Sequence, residues 1–254
     1  MNRTMITATN TMSQLQRKMD VIGTNISNLE TNGYKRKESY FNELLYQHVD
    51  NQPRHDKEKG RLTPIGLNQG SGARIGLMKL ALNQGTLKST GRELDVAMTR
   101  EDLFLKVNVD GETQYTRDGS LYVSPTVEGG NAFQLVTADR HRVLDQSNNP
   151  IVINGEIDQL TFTEQGNLNV KINGGNVQTF ELGFIAVTNP QYLEHKGGNF
   201  VGIANPLNGA QVEAADIFNE VSGNLREGIS LKQGHLEASN VDVSKEMTDL
   251  INVQ

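Results

Sequence analysis

The sequence predicts a mainly β protein, with a central antiparallel β barrel or sandwich looped out between N- and C-terminal heptad helices. Three observations predict it. Apolar residues step by 3, 4, 3, 4, 3, 4, 3 from Met5 to Leu29, the spacing of a helix seam. From about residue 77 the period falls to two, with Asn-Gly and Asp-Gly dipeptides between short β-branched runs. Helical spacing returns in the last segment, QGHLEASNVDVSKEMTDLINVQ.

The N-terminal seam comprises Met5, Ala8, Met12, Leu15, Met19, Ile22, Ile26 and Leu29, and off it only Met1, Ile6 and Val21 are apolar. Thr4, Thr7, Thr9, Asn10, Thr11, Thr24 and Asn25 are weak helix formers, and Gly23 costs about 1 kcal/mol against Ala. A strong seam on a weak helix is marginal alone and needs something to lie against. At about 1.5 Å per residue the segment makes a rod of roughly 40 Å. Asn32-Gly33 ends it, with Gly33 in the C′ role.

Residues 34–47 are amphipathic and read as extended or briefly helical. Residues 49–76 are polar and rich in Gly and Pro, a loop or crossover. In the β region Leu103, Leu105, Val107 and Val109 alternate with Phe104, Lys106 and Asn108. Hairpin turns are expected at Asp110-Gly111, Asp118-Gly119, Asn154-Gly155, Asn173-Gly174 and Asn208-Gly209. Further strands are expected at 132–137, 151–153, 158–163, 168–172 and 177–187. The C-terminal seam runs through Leu236, Asn240, Val243, Met247, Leu250 and Gln254, with Ser239, Asn240 or Asp242 as cap. It is the one other heptad stripe in the chain, so the two ends are expected to pair. The chain divides accordingly into an N-terminal helix (1–33), a linker or extended segment (34–76), a β domain (77–225) and a C-terminal helix segment (226–254). QGTLKSTGRELDV (84–96) weakly echoes QGHLEASNVDV (233–243), and the two sit where the chain enters and leaves the β domain.

Composition removes several kinds of chemistry. The 254 residues contain no cysteine, which excludes disulfides, thiolate metal sites and cysteine nucleophiles. A net charge of -6, from 24 basic and 30 acidic residues, argues against nucleic acid as partner. No apolar run is long enough for a membrane-spanning helix, and the N-terminus has no secretory signal core. His48, His55, His141, His195 and His235 have no metal-ligand spacing and read as surface histidines. There is no GxSxG elbow. GSGARIG (70–76) misses the dinucleotide fingerprint by one position and lacks a βαβ context. Glu101-Asp102 reads as solvent-facing, and YKRK (34–37) is too short for a polybasic site. No catalytic residue, cofactor or metal is expected.

Six motifs then fall in order along nearly the whole chain. DVIGTNISNLETNGYKR (20–36) resembles the N-terminal signature of flagellar basal-body rod proteins, and Asn25, Asn28 and Gly33 fall on it. Gln84, Gly85, Leu87, Gly91 and Asp95 resemble the family's QGxLxxTGxxLDxAI. Tyr115, Arg117 and Gly119 match its YTRDG. Leu135-Val136-Thr137 with Val143-Leu144-Asp145 resembles LVT…VLD, and Asn189-Pro190, Leu193 and Gly197 resemble NPxxLxxxG. Gly234, Leu236, Ser239, Asn240 and Val241 resemble QGxLExSNVD. The chain is similar to rod proteins of the FlgG and FlgF type and to the hook–basal body paralogues FlhO and FlhP. Ser27, Asn32 and the run Thr99–Phe104 depart from the family pattern.

The resemblance implies a structural subunit of the flagellar basal-body rod or hook–basal body axis. In the family the terminal helices pair into an inner coiled-coil layer, and the β domain decorates the outside. The implied partners are copies of itself, other axial proteins and the flagellar type III export machinery, with neither nucleic acid nor membrane insertion. The implied location is the basal body, reached across the cytoplasmic membrane. Family members continue past Gln254 with more helix, so the C-terminal helix is expected to be cut short. The assembly surface expected is the N-terminal seam, Met5 to Leu29, with Leu236, Val243, Met247 and Leu250. A secreted β domain that binds cell-wall glycan is the alternative, weakened by the absence of Trp.

Overall fold

The computed structural model describes residues 3–43, 47–49, 67–69, 73–126, 132–172, 175–204 and 214–254. The expected turns at Asn173-Gly174 and Asn208-Gly209, and most of the polar stretch 49–76, lie outside them.

The N-terminal helix spans Arg3–Ser27. It has no acid in its first turn and no base in its last, so its own end turns do not complement its dipole. Its hydroxyls turn inward instead: Thr9 donates to the Met5 carbonyl, Thr11 to Thr7, Thr24 to Asp20 and Ser27 to Gly23. A turn over residues 28–33 follows, so Gly33 lies beyond the C′ position expected for it. Lys37–Glu43 then pairs antiparallel with Ala73–Leu80 in a two-stranded ribbon, with a bulge at Tyr40/Phe41. The short strands Gln47–Val49 and Leu67–Gln69 pair with each other. Residues 73–76 and Leu67–Gln69 are therefore strand, where the sequence reads as loop.

The β body is a sandwich-like pair of sheets and not a closed barrel. Its larger sheet has ten strands and its smaller one three, Ile157–Phe162, Asn167–Ile172 and Asn176–Glu181. The central strand Leu103–Val109 is buried on both faces. Leu103, Leu105 and Val107 enter the core between the sheets with Leu160, Leu168 and Val170. Phe104 enters a second core on the opposite face with Tyr115, Ile185 and Phe218. Lys106, on that opposite face, is also buried, its ammonium 2.6 Å from Glu220 and 3.0 Å from the Asn148 side-chain oxygen.

Asp110-Gly111 makes the expected hairpin, with φ of 52° and 91° at the two positions. Asp118-Gly119 does not, because strands Glu112–Thr116 and Leu121–Pro125 pair with other strands and not with each other. Asn154-Gly155 likewise carries the chain from the large sheet to the small one. The run 177–187 is two strands, Asn176–Glu181 and Phe184–Val187, separated at Gly183, where a Cβ would stand 2.5 Å from the Asp145 carbonyl oxygen.

The C-terminal segment is helical only over Val243–Val253, capped by Asp242, whose carboxylate accepts from the Ser244 and Lys245 amides. Leu236 lies on strand His235–Glu237, and Asn240 lies in the loop after it, so neither continues a helical seam. The two echoing segments pair directly. His235–Glu237 runs antiparallel to Leu87–Ser89, and Leu231–Gln233 to Val96–Met98.

Candidate functional site

The motif residues converge where the chain enters and leaves the β body. Lys35 comes from the segment after the N-terminal helix, Arg117 from the β body and Glu237 from the C-terminal strand. Glu237 Oε1 lies 2.8 Å from Lys35 Nζ, and its Oε2 lies 2.6 Å from Arg117 Nη2 and accepts from Arg117 Nε at 2.7 Å. All three side chains are at most 1% exposed.

Two buried cations share one carboxylate, so the remaining donors go to backbone dipoles. Arg117 Nη1 donates to the carbonyls of Arg100, Glu101 and Leu103, and Nη2 donates to Met98. Lys35 donates to the carbonyls of Leu82 and Asn83. Burial pulls the Lys35 ammonium down to about 8, and the Arg117 charge adds to that while Glu237 opposes it. Burial also lowers Arg117.

Glycines let the backbones close around this knot. Gly85 donates its amide to Glu237 Oε1 at 2.8 Å, and a Cβ there would meet the Ala238 carbonyl oxygen at 2.0 Å. Gly33, at φ +69°, donates to the Glu237 carbonyl, and a Cβ there would stand 2.4 Å from the Asp118 amide. Gly119 approaches Val96 so closely that a Cβ would overlap its carbonyl oxygen at 1.6 Å. The Thr90 and Gly91 amides donate to the Gly234 carbonyl, and the Gly234 amide to Asp95. Gln84 reaches the Met98 carbonyl at 2.9 Å, Leu87 faces Glu237 across the strand pair, and Leu236 faces Lys88.

A second brace ties the helices to the knot. The Asn25 side-chain oxygen accepts from the Lys37 amide and the Tyr34 hydroxyl, and its amide donates to the Lys37 carbonyl and to Glu246 of the C-terminal helix. Asn240 accepts from the Arg36 amide and donates to the carbonyls of Ala81 and Asn83. The two helices therefore meet at Asn25 and Glu246. Met247, expected on their common seam, is 53% exposed, while Val243 and Leu250 are half-buried.

Along the N-terminal seam, burial rises toward this brace. Met5 and Met12 are 72% and 70% exposed, and Ala8 is exposed too. Leu15, Met19, Ile26 and Leu29 are half-buried, and Ile22 is 3% exposed. Of the other motif residues, Asn28 caps the helix end, with its side-chain amide on the Thr24 carbonyl. Tyr115 lies in the second core against Phe218, and Val241 is buried beside the Ser239 turn.

Sequence reasoning missed the charges at the centre. Lys35 and Glu237 stand inside quoted motifs, yet neither is singled out there. It also misplaced His195, which stacks on Tyr34 at 4.7 Å and donates from Nε2 to the Lys35 carbonyl at 2.9 Å. Burial pulls this imidazole down to about 4. Among the described residues no group of three or more His, Cys, Asp or Glu is placed to hold a metal ion, and no helix is long and apolar enough to cross a membrane.

This architecture defines a class: a β body carried on a stalk made from both chain ends, with its charged groups spent on joining the two. Comparison with known proteins then gives the family. The family model described as flagella basal body rod protein matches residues 5–35, and that described as flagellar basal body rod FlgEFG protein C-terminal matches residues 232–254. The chain is 42% identical to the flagellar hook-basal body complex protein FlhP of Bacillus subtilis, over 100% of this chain and 91% of that one. It is 32% identical to the flagellar basal-body rod protein FlgG of Agrobacterium fabrum, over 99% and 90%. It is also 32% identical to that of Borreliella burgdorferi, over 100% and 90%. The chain belongs to the flagellar basal-body rod protein family, and it is a structural subunit of the flagellar basal body.

Proposed function

We propose that the chain acts by assembly and not by catalysis, polymerising through its terminal helices with copies of itself and with other flagellar axial proteins. One observation carries the reading: the gradient of exposure along a single heptad seam. Ile22 is satisfied within the chain, whereas Met5 and Met12, on the same stripe, are 72% and 70% exposed. Burying a side chain of that size stabilises by about 1.5–3 kcal/mol, so the open half of the seam holds a driving force for contact with a neighbouring chain.

The same helix lacks end charges that complement its dipole and is rich in weak formers, which suits a segment that orders on assembly. Export through the flagellar type III pathway, which takes unfolded chain, is consistent with that weakness. The rod-family relatives favour this reading over the glycan-binding alternative.

The test is Met5→Asp with Met12→Asp. Both positions are exposed in the single chain, so the variant keeps wild-type folding stability. It is expected to be absent from purified basal bodies and to leave cells non-motile. Normal incorporation of this variant sinks the reading.

A further inference from the structure

The strand Leu193–Gly197 is the last at one end of the large sheet and, among the described residues, pairs with Phe200–Ile203 alone. His195 fastens this edge to the stalk. Its imidazole stacks on the Tyr34 ring at 4.7 Å with 10° between the planes, and Nε2 lies 2.9 Å from the Lys35 carbonyl. A carbonyl only accepts, so Nε2 carries the proton and Nδ1 is bare. Nδ1 is buried, and no hydrogen-bond partner reaches it. The contact is relayed onward to both helices, because the Tyr34 hydroxyl donates to Asn25, whose amide donates to Glu246. The hairpin has a place to bend, with a bulge between His195 and Gly197 and positive φ at Gly197 and Gly198.

The surroundings refuse a second proton on this ring. It would add a buried N–H with no acceptor. The recess beside the ring is lined by Arg17, Lys37, Arg74 and Lys79 against one carboxylate, Glu194, which lies 2.7 Å from Lys196. The Lys35 ammonium is turned to Glu237. At the far side of the hairpin, His141 packs edge-on against Phe200, and Asn199 donates to Asp118 at 2.9 Å. Burial pulls the imidazole down to about 4, opposed by the Lys35 hydrogen bond and aided by the Lys37 charge.

We propose that the Tyr34–His195 contact is an acid-released latch. A proton on Nδ1 expels the ring, and the hairpin Leu193–Ile203 lets go of the stalk while the Lys35–Glu237–Arg117 neck stays closed. A freed ring regains its ordinary 6.5, so the released form takes the proton that the latched form refuses, and release is favoured as pH falls. Between pH 7 and pH 5 the latch equilibrium shifts by about twentyfold.

Hydrogen exchange on the full chain, corrected for the intrinsic effect of pH, tests this. Residues 31–37 and 193–203 are expected to exchange about twentyfold faster at pH 5 than at pH 7, with 103–109 unchanged. His195→Gln keeps a donor for the Lys35 carbonyl but cannot titrate there, and it is expected to abolish the response. His141→Gln and Asp118→Asn remove the other two titrating groups that touch the hairpin and are expected to leave it. Equal protection at both pH values overturns the proposal, as does a loss that spreads to 103–109 or a response that survives His195→Gln. Proton NMR of the wild-type chain decides even where a variant misfolds: the His195 ring and the Tyr34 ring signals must change over one pH range, and separate ranges overturn the latch. The latch belongs to the single chain, so its failure is distinct from failure of the polymer reading, which is seen as normal incorporation of the Met5→Asp, Met12→Asp variant.

Discussion

Lys35 Nζ and Glu237 Oε1 lie 2.8 Å apart across 202 positions of sequence. With Arg117 on the other carboxylate oxygen, this contact closes the polypeptide into a loop whose neck is buried charge. Taking such charges out of water is costly, and they are tolerated because each remaining donor finds a carbonyl. The neck thus holds the stalk in one arrangement relative to the strands that carry Arg117 and Leu87–Ser89.

Glu237→Gln tests the neck most directly. It keeps size but turns one of two acceptor oxygens into an amide donor facing donors, and it leaves Lys35 and Arg117 buried without a counter-charge. The expected cost is about 3–5 kcal/mol, read as a lower midpoint in urea denaturation of the full chain. A change below about 0.5 kcal/mol, the range of ordinary surface substitutions, would show that the knot is not a stabilising centre.

Gly85→Ala tests the close approach of the two echoing segments. Its Cβ would stand 2.0 Å from the Ala238 carbonyl oxygen, and backbone has no room to yield. Loss of about 1–3 kcal/mol is expected from overpacking. Gly111→Ala supplies a contrast, because no heavy atom lies within 4 Å of its Cβ position and only the strain of φ +91° is felt.

His195 predicts a pH dependence. Its folded pKa is about 4 against an ordinary 6.5, with burial as the main cause, the Lys35 carbonyl hydrogen bond opposing it and the Lys37 charge adding to it. Between those values the unfolded chain binds a proton that the folded chain refuses, so stability falls as pH drops from 6.5 toward 4. The loss is up to about 3 kcal/mol. His195→Gln cannot titrate there, and thermal melts across this window are expected to flatten.

The seam predicts opposite outcomes at two of its positions. Ile22→Ala removes a buried side chain and is expected to cost about 2–5 kcal/mol. Met12→Ala removes an exposed one and is expected to stay within about 0.5 kcal/mol. Hydrogen exchange follows the same order, with amides near Met5 exchanging faster than those near Ile22.

Much of this was legible in local patterns. The period-two run at Leu103–Val109 marks a strand, and Asp110-Gly111 marks its hairpin, because pleat and turn chemistry act over a few residues. Asp118-Gly119 has the same turn signature but serves a packing contact with Val96, which no local rule can distinguish. Helical spacing from Leu236 onward misled in a similar way. Leu236 pairs opposite Lys88 in a strand ladder, a partner supplied from far along the chain.

The sequence alone determined the alternation of helix, strand and helix, the family and the seam, since each rests on short-range spacing or on motifs in order. Tertiary structure decided where charge is buried and which half of the seam is left open. Lys35, Arg117 and Glu237 become one site only when three distant segments meet, and Ile22 is buried where the ribbon and the C-terminal helix pack on the N-terminal one, while Met12 is exposed. Both depend on desolvation, which is set by everything packed around a group and not by its neighbours in the chain.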